Sequence, residues 1–220
     1  RGKRERTFKG LAAAPGIAIG KAYVRFGRHI EVQEYVVAKT KIRGELKRLD
    51  AAVNVARRQI TSLQERAAGM RGTTGDELVF LFDAYLAMLD GSRIVRGARS
   101  IIEEERINAE AAVQREFTAL AKRFEAMEDA YIAARLDDIR EVASRLISIL
   151  VRSPANEPPK TPKGGIIVAE QLSPADMAQI DPETVSAVAA ALGGTEGHTA
   201  IMARALGLPA VLGAADLLGG

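Results

Sequence analysis

Cysteine and tryptophan are absent from the 220-residue sequence, histidine occurs twice, and aromatic residues make up only 5% of it. The lack of cysteine excludes a disulfide scaffold and thiolate metal sites, and His29 and His198 are too far apart to form a histidine-rich zinc site on their own. No apolar run approaches the roughly 20 residues that a membrane helix needs. The basic start RGKRER is not followed by the apolar core of a secretory signal. We therefore expect a soluble, cytoplasmic protein without membrane contacts.

Charge of one sign is also scarce. The formal net charge is +3, but the first ten residues alone carry +4, which leaves −1 for the rest of the chain. A basic body that would follow the phosphate backbone of a nucleic acid is therefore missing, and we expect no nucleic-acid partner. The 47% of apolar residues is enough for one large or two small domains with a buried core.

Residues 38–151 carry the periodicity of amphipathic helices. From Ile42 to Ala67 the apolar residues recur at alternating spacings of four and three, and similar patterns follow up to Leu150. Ser92 and Asn108 are candidate N-caps for two of these segments. Four or five consecutive helices on short connections can bury their apolar stripes only against one another. We therefore predict an all-α antiparallel helical bundle over residues 38–151.

The flanking residues, 1–37 and 152–220, have short apolar runs and glycine-rich turns instead. Residues 153–165, SPANEPPKTPKGG, contain four prolines and cannot continue a helix. A strand, a helix capped by Ser173, a second strand, a glycine-rich turn, a short helix and a third strand are expected after them. The pattern predicts one discontinuous α/β domain, residues 1–37 plus 152–220, that is interrupted by the bundle.

The segment GGTEGHTAIMARALGLPAVLG, residues 193–213, is the richest candidate site. Three glycines let its backbone turn tightly and approach a ligand: Gly193, Gly194 and Gly197. His198 falls in the first turn of the next helix, where free N–H groups and the helix dipole stabilise an anion and leave a neutral ring nitrogen available as a nucleophile toward phosphorus. Arg204 is a second candidate phosphate partner. The glycines alone leave open that His198 is only a turn residue.

This segment resembles the phosphohistidine signature of the phosphoenolpyruvate-utilising family, written GGxTSHxAIxAR followed by GxPAVVG. The stretch GLAAAPGIAIGKAYV at 10–24 is similar to the opening of Enzyme I of the phosphotransferase system. Two further stretches, FDAYLAMLD at 82–90 and YIAARLDDIREVASRLISIL at 131–150, are similar to its helical insertion. The resemblance implies an α/β phosphohistidine swivelling domain that is interrupted by a carrier-binding bundle. It also implies that phosphate passes from phosphoenolpyruvate through a histidine to the carrier protein HPr.

By the same resemblance, His198 would be the phosphorylated nucleophile. Five residues would support the phosphate or the active site: Gly194, Gly197, Thr199, Arg204 and Arg135. Arg135 matches a family arginine near the phosphoryl group at the carrier interface, and three other residues fall where the family contacts its carrier: Asp76, Glu77 and Tyr85. An acidic rim suits a basic partner, although acids before a helix are also ordinary first-turn residues.

Three features depart from the family pattern. Glu196-Gly197 stands where the family has Thr-Ser, so an acid lies near the expected phosphate. Met177 stands where the sugar-system Enzyme I has a threonine that hydrogen-bonds the histidine. Both changes indicate the nitrogen-related paralogue, which serves the carrier NPr and carries a sensory domain before this region. The family's swivelling domain also runs beyond the PAVLG strand, so the carboxy-terminal part of the α/β domain is expected to be truncated.

The resemblance implies a carboxy-terminal half, outside this sequence, that binds phosphoenolpyruvate and Mg²⁺. We expect no cofactor within residues 1–220, and only the exchange with the carrier. Two alternatives stay open. One is the swivelling domain of pyruvate phosphate dikinase or phosphoenolpyruvate synthase, against which the long helical insertion counts. The other is a non-catalytic helical binding module in which His198 is inert. We interpret His29 as a surface histidine.

Overall fold

The computed structural model describes residues 5–25, 32–69, 73–125, 130–151, 163–173, 176–177, 180–195 and 197–219. The chain forms two compact units, residues 30–156 and residues 1–29 together with 157–220. The boundaries between the units therefore fall at 29/30 and 156/157, whereas the sequence pattern predicted them at 37/38 and 151/152. Within the described residues, no helix is long and apolar enough to cross a membrane.

The helical unit contains five α-helices in its described residues. They are α1 (Ile42–Ala68), α2 (Thr73–Leu89), α3 (Arg93–Glu105), α4 (Ala109–Glu125) and α5 (Ala130–Leu150). Helix α1 packs against α2 and α5, and α4 packs against α3 and α5. The apolar stripe of α1 is buried as its spacing predicts, with Leu49, Ala56 and Ile60 completely inaccessible to solvent. The predicted helical region is confirmed.

Residues 32–37 belong to the helical unit, although the sequence pattern had assigned them to the α/β domain. They run extended beside the turn between α3 and α4, where the Val37 N–H donates to the Arg106 carbonyl at 2.7 Å. The buried Asn108 side chain accepts from the Tyr35 N–H and donates to the Gln33 carbonyl, both at 2.9 Å. The boundary moves because the backbone polar groups of this segment find their partners on the bundle.

The α/β unit is built on a mixed sheet, which has five strands in the described residues. They are β1 (Leu11–Ala14), β2 (Ala22–Arg25), β3 (Gly165–Ala169), β4 (Val185–Ala190) and β5 (Ala210–Leu212). The strand order is β1-β5-β4-β3-β2, with β1 antiparallel to β5 and the other neighbours parallel. The expected α/β fold is confirmed. Strands β2 and β3 flank the helical unit in sequence and yet pair directly.

Helix α6 (His198–Ala205) connects β4 to β5 and contacts β1 and β5. Its inner face consists of small or flexible side chains, because Ala200, Met202 and Ala203 are all buried. Small side chains let the backbones of a helix and a strand approach each other closely. Strand β1, which α6 contacts, also has small side chains, because three of its four residues are alanines. This close packing fixes the position of α6, whose first residue is His198.

Candidate functional site

The glycine-rich loop, residues 191–197, lies at the carboxyl ends of β3 and β4. Its first residues are anchored there, because the Ala191 N–H donates to the Ala169 carbonyl at 3.0 Å and the Leu192 N–H to the Glu170 carbonyl at 2.8 Å. Gly193 has a φ of +109°, a left-handed conformation that favours glycine. Ligands bind parallel α/β sheets at this edge. The sequence therefore places its glycines where a ligand is expected to approach.

His198 is the first residue of α6 and its side chain is exposed. The preceding residue, Gly197, has extended backbone angles and no side chain that could cap the helix. The first helical hydrogen bond runs from the Ile201 N–H to the Gly197 carbonyl at 3.1 Å. A helix leaves its first N–H groups without intrahelical partners, and these groups carry the positive end of the dipole. The imidazole thus stands beside a set of donors suited to an anion.

Thr199 is tied to a neighbouring turn. Its hydroxyl donates to the Leu172 carbonyl at 2.5 Å, and Leu172 is buried. The next residue, Ser173, forms a reciprocal cap with Asp176: the Ser173 hydroxyl accepts from the Asp176 N–H at 3.1 Å, and the Asp176 carboxylate accepts from the Ser173 N–H at 3.1 Å. Met177 is completely buried. Its thioether therefore packs in the interior at the position where the resemblance would place a threonine hydroxyl.

Arg204 points back to the loop from the last turn of α6. Its Nη1 donates to the Thr195 carbonyl at 3.0 Å and to the Ala13 carbonyl of β1 at 2.9 Å. The structure thus brings His198, Thr199 and Arg204 together with the loop glycines. The Gly197 N–H and the Gly194 carbonyl are 3.4 Å apart in this loop. Glu196 lies outside the described residues.

The predicted carrier contacts lie in the helical unit. Asp76 and Glu77 are exposed near the start of α2, as a surface contact requires. Arg135 belongs to α5, but its side chain lies outside the described part of the structure, as does His29. One residue that sequence reasoning missed is Phe80, which is 76% exposed on α2 and lies three and four residues after the two acids. The sequence feature that could have pointed to Phe80 is an aromatic residue at a position outside the apolar stripe of α2.

Tyr85 is in the interior of the bundle, with only 2% of its surface exposed. Its ring meets that of Phe82 edge-on, with 6.1 Å between centroids. Burial raises the pKa of the Tyr85 phenol, and the carboxylates of Glu141 and Asp138 act in the same direction. This burial counts against a direct contact between Tyr85 and a carrier.

A separate groove of about 470 Å³ lies at the opposite edge of the sheet, where β3, β4 and β5 begin. Its lining includes Ile17, Ile19 and Pro209. The groove includes none of the predicted site residues. Among the described residues, no group of three or more histidine and carboxylate side chains is placed to hold a metal ion.

Two family models match the chain. The first, described as PEP-utilising enzyme, N-terminal, covers residues 9–135, and the second, PEP-utilising enzyme, mobile domain, covers residues 161–219. The chain belongs to the phosphoenolpyruvate-utilising enzyme family. The family's mobile-domain model spans the glycine-rich loop, His198 and the rest of α6.

Relatives within the phosphoenolpyruvate-utilising family narrow the resemblance. The phosphoenolpyruvate-protein phosphotransferase of Geobacillus stearothermophilus is 34% identical over 210 residues, which are 96% of this chain and 36% of that protein. The enzyme of the same name from Lactococcus lactis subsp. lactis is 34% identical over 206 residues, 93% of this chain and 35% of the relative. This chain therefore spans only about a third of the length of these family members.

Two solved structures of the family are similar over nearly the whole chain. An NMR structure of Enzyme I, named nEIt, is 30% identical with a TM-score of 0.73, covering 97% of this chain and 85% of that one. The N-terminal domain of the nitrogen Enzyme 1 is 28% identical with a TM-score of 0.69, covering 94% and 83%. The resemblance to the amino-terminal region of Enzyme I is confirmed.

Proposed function

We propose that this chain is the phosphotransfer region of an Enzyme I, in which His198 carries the phosphoryl group. In the first step, a ring nitrogen of His198 forms a bond to phosphorus as the P–O bond of phosphoenolpyruvate breaks. The enolate of pyruvate leaves and takes up a proton to become pyruvate. In the second, the N–P bond at His198 breaks as phosphorus bonds to a histidine of a small carrier protein. The observation that supports this most directly is the exposed histidine at the first position of α6, directly after the glycine-rich loop.

The surroundings of His198 suit a phosphorylated imidazole. The free N–H groups at the start of α6 stabilise the phosphoryl oxygens electrostatically. Gly194 and Gly197 leave room for those oxygens, since a side-chain carbon at Gly194 would meet nothing within 4 Å and one at Gly197 would meet only a carbonyl oxygen, 3.6 Å away. The Thr199 hydroxyl holds the first turn in place through the Leu172 carbonyl. We propose that Arg135 serves the phosphoryl group on the carrier's side of the exchange.

The carrier is proposed to dock on the exposed face of α2. Asp76, Glu77 and Phe80 lie within one turn on this face and combine two negative charges with an apolar ring. Such a surface fits a partner that is basic and partly apolar, since buried apolar anchors supply affinity and complementary charge supplies specificity. Tyr85 lies beneath the surface and supports α2 from inside the bundle.

The finer assignment is the nitrogen-related Enzyme I, with NPr as carrier and a sensory domain elsewhere in the protein. Two differences from the sugar-system Enzyme I support it: Met177 stands in place of a threonine, and Glu196-Gly197 stands in place of Thr-Ser. Phosphoenolpyruvate and Mg²⁺ are proposed to bind a separate domain of the full-length protein. The full-length protein is proposed to be cytoplasmic.

The test begins with carrier proteins phosphorylated in advance. We expect phosphorylated HPr or NPr to transfer one acid-labile phosphoryl group to the wild type and to His29→Ala, read by intact mass, and none to His198→Ala or His198→Gln. Circular dichroism checks that the variants are folded. The faster of the two carriers identifies the paralogue. A label that persists on His198→Gln, or no label on the wild type from either carrier, would overturn the proposal and favour a non-catalytic binding module.

A further inference from the structure

Strand β1 contains a bulge. It pairs with β5 through Leu11 with Leu212 and Ala12 with Val211, but the next pair is Ala14 with Ala210, so the register shifts between Ala12 and Ala14. The extra residue is Ala13, which is only 2% exposed. A bulge leaves one residue out of the regular ladder. A buried carbonyl at such a position needs a donor from elsewhere.

Arg204 supplies that donor. Its Nη1 is 2.9 Å from the Ala13 carbonyl oxygen and 3.0 Å from the Thr195 carbonyl oxygen. The nitrogen carries two N–H bonds, so both are used. Because a guanidinium is planar and permanently charged, its hydrogen bonds to two carbonyls hold them in a fixed relation. One side chain therefore joins the bulge of β1, the glycine-rich loop and α6.

The described residues of the loop have few internal restraints. Gly194 has open space where a side chain would be, and the turn from the Gly197 N–H to the Gly194 carbonyl is long at 3.4 Å. Glycine also gives a chain more conformational freedom than any other residue. A loop of this composition needs an external contact to hold it, and Arg204 supplies one at the Thr195 carbonyl, three residues before His198.

We propose that Arg204 is a positioning residue for His198. It fixes the loop against the bulge of β1 and thereby sets where the start of α6 presents the imidazole. This role is distinct from phosphate ligation, because Nη1 makes both contacts in the unphosphorylated protein, and it leaves the N–H groups of Nη2 and Nε for other partners. The inference rests on the proposed phosphorylation of His198.

The test uses Arg204→Gln and Arg204→Lys, with Arg58→Gln, the same change at an exposed arginine of α1, as the control. In the unphosphorylated protein, amide hydrogen exchange of loop residues 193–198 is expected to be about tenfold faster in Arg204→Gln, with Ile167 and Val188 in the sheet unchanged. Phosphorylation by the carrier is expected to slow by roughly 10- to 100-fold, as for other misplaced reacting groups. Arg204→Lys is expected to restore part of both.

Loop exchange equal to wild type in both Arg204 variants would overturn the inference, and so would faster loop exchange without slower phosphorylation. If Arg204→Gln loses its fold, the same two readouts on Arg204→Lys decide. The exchange measurement needs neither carrier nor phosphate. A wild type that is never phosphorylated would therefore refute the proposed function, whereas the exchange data would still report whether Arg204 holds the loop.

Discussion

Tyr85 provides a sharp test of the bundle interior, because its ionisation reports whether the phenol is buried. In the unfolded chain a tyrosine loses its proton with a pKa of about 10. In the folded protein, burial raises the pKa of Tyr85 above that value, and Glu141 and Asp138 add to the effect. Above pH 10 the unfolded chain therefore binds fewer protons than the folded one. The free energy of unfolding must fall as the pH rises through this range.

The size of the fall follows from the unfolded pKa alone while Tyr85 keeps its proton in the folded state. At pH 11 the ionised form of the unfolded phenol outnumbers the neutral form by about ten to one. This lowers the free energy of unfolding by about 1.4 kcal/mol relative to pH 8. Lysines and the other tyrosines titrate over the same range. The difference between wild type and Tyr85→Phe cancels their contribution.

The assay is urea unfolding followed by circular dichroism at pH 8, 9, 10 and 11. The wild-type advantage over Tyr85→Phe is expected to shrink by about 1.4 kcal/mol between pH 8 and pH 11. Tyr35→Phe, at a half-exposed tyrosine, controls for the removal of a phenol. A difference between wild type and Tyr85→Phe that stays constant up to pH 11 would show that Tyr85 ionises freely in the folded protein. It would then belong to the surface, as a carrier contact would.

Three stability predictions come from other positions. Asn108→Ala is expected to lower the free energy of unfolding by about 2–3 kcal/mol in urea, because it removes both hydrogen bonds of a buried side chain. Asn54→Ala, at an exposed position of α1, should change it little, and equal effects of the two substitutions would refute the role of Asn108. Gly16→Ala is expected to lower the melting temperature, since Gly16 has a φ of +140° and the new Cβ would lie 2.6 Å from Pro209 Cγ. Gly44→Ala, in open space on α1, should raise the free energy of unfolding by about 0.5–1 kcal/mol. A Gly16→Ala variant more stable than the Gly44→Ala variant would contradict the backbone conformation at these two positions.

The helical unit was predictable because its contacts are local and periodic. On α2 the apolar pattern is Leu78, Phe82, Leu86 and Leu89, and all of these are buried except Leu86, which is partly exposed. Tyr85, three residues after Phe82 and four before Leu89, fits the alternating spacing of α1 better than Leu86 does. The periodicity therefore indicates an interior position for Tyr85, whereas the family resemblance indicated a contact with the carrier. The structure agrees with the periodicity.

Contacts between residues distant in sequence were not predictable in this way. Nothing in the pattern around Arg204 shows that its side chain reaches the carbonyl of Ala13, because the bulge that leaves Ala13 out of the regular ladder arises only when β1 pairs with β5. Asn108 is a similar case. Its sequence context indicates an N-cap, and its backbone carbonyl does accept from the Ala112 N–H at 3.0 Å. Its side chain, however, holds the extended segment before α1, which moved the domain boundary.

The start of α4 is held instead by a charged side chain from another helix. The buried carboxylate of Glu45, in the first turn of α1, accepts from the Ala109 N–H at 2.8 Å and from Arg48 Nη1 at 2.7 Å. Arg48 Nη2 donates in turn to the Leu150 carbonyl at the end of α5, at 3.1 Å. Apolar stripes with a regular repeat permit neighbouring helices to slide by a turn, but directional hydrogen bonds at a helix end do not. These contacts therefore fix which helix ends meet.

The same contacts bring the two ends of the helical unit together. Strands β2 and β3 are parallel neighbours, and parallel neighbours require a crossover connection. Here the crossover contains the whole helical unit. Asn108 holds the segment that enters the bundle, and Glu45 and Arg48 join the starts of α1 and α4 to the end of α5. The entry and the exit of the helical unit are therefore tied to the same end of the bundle.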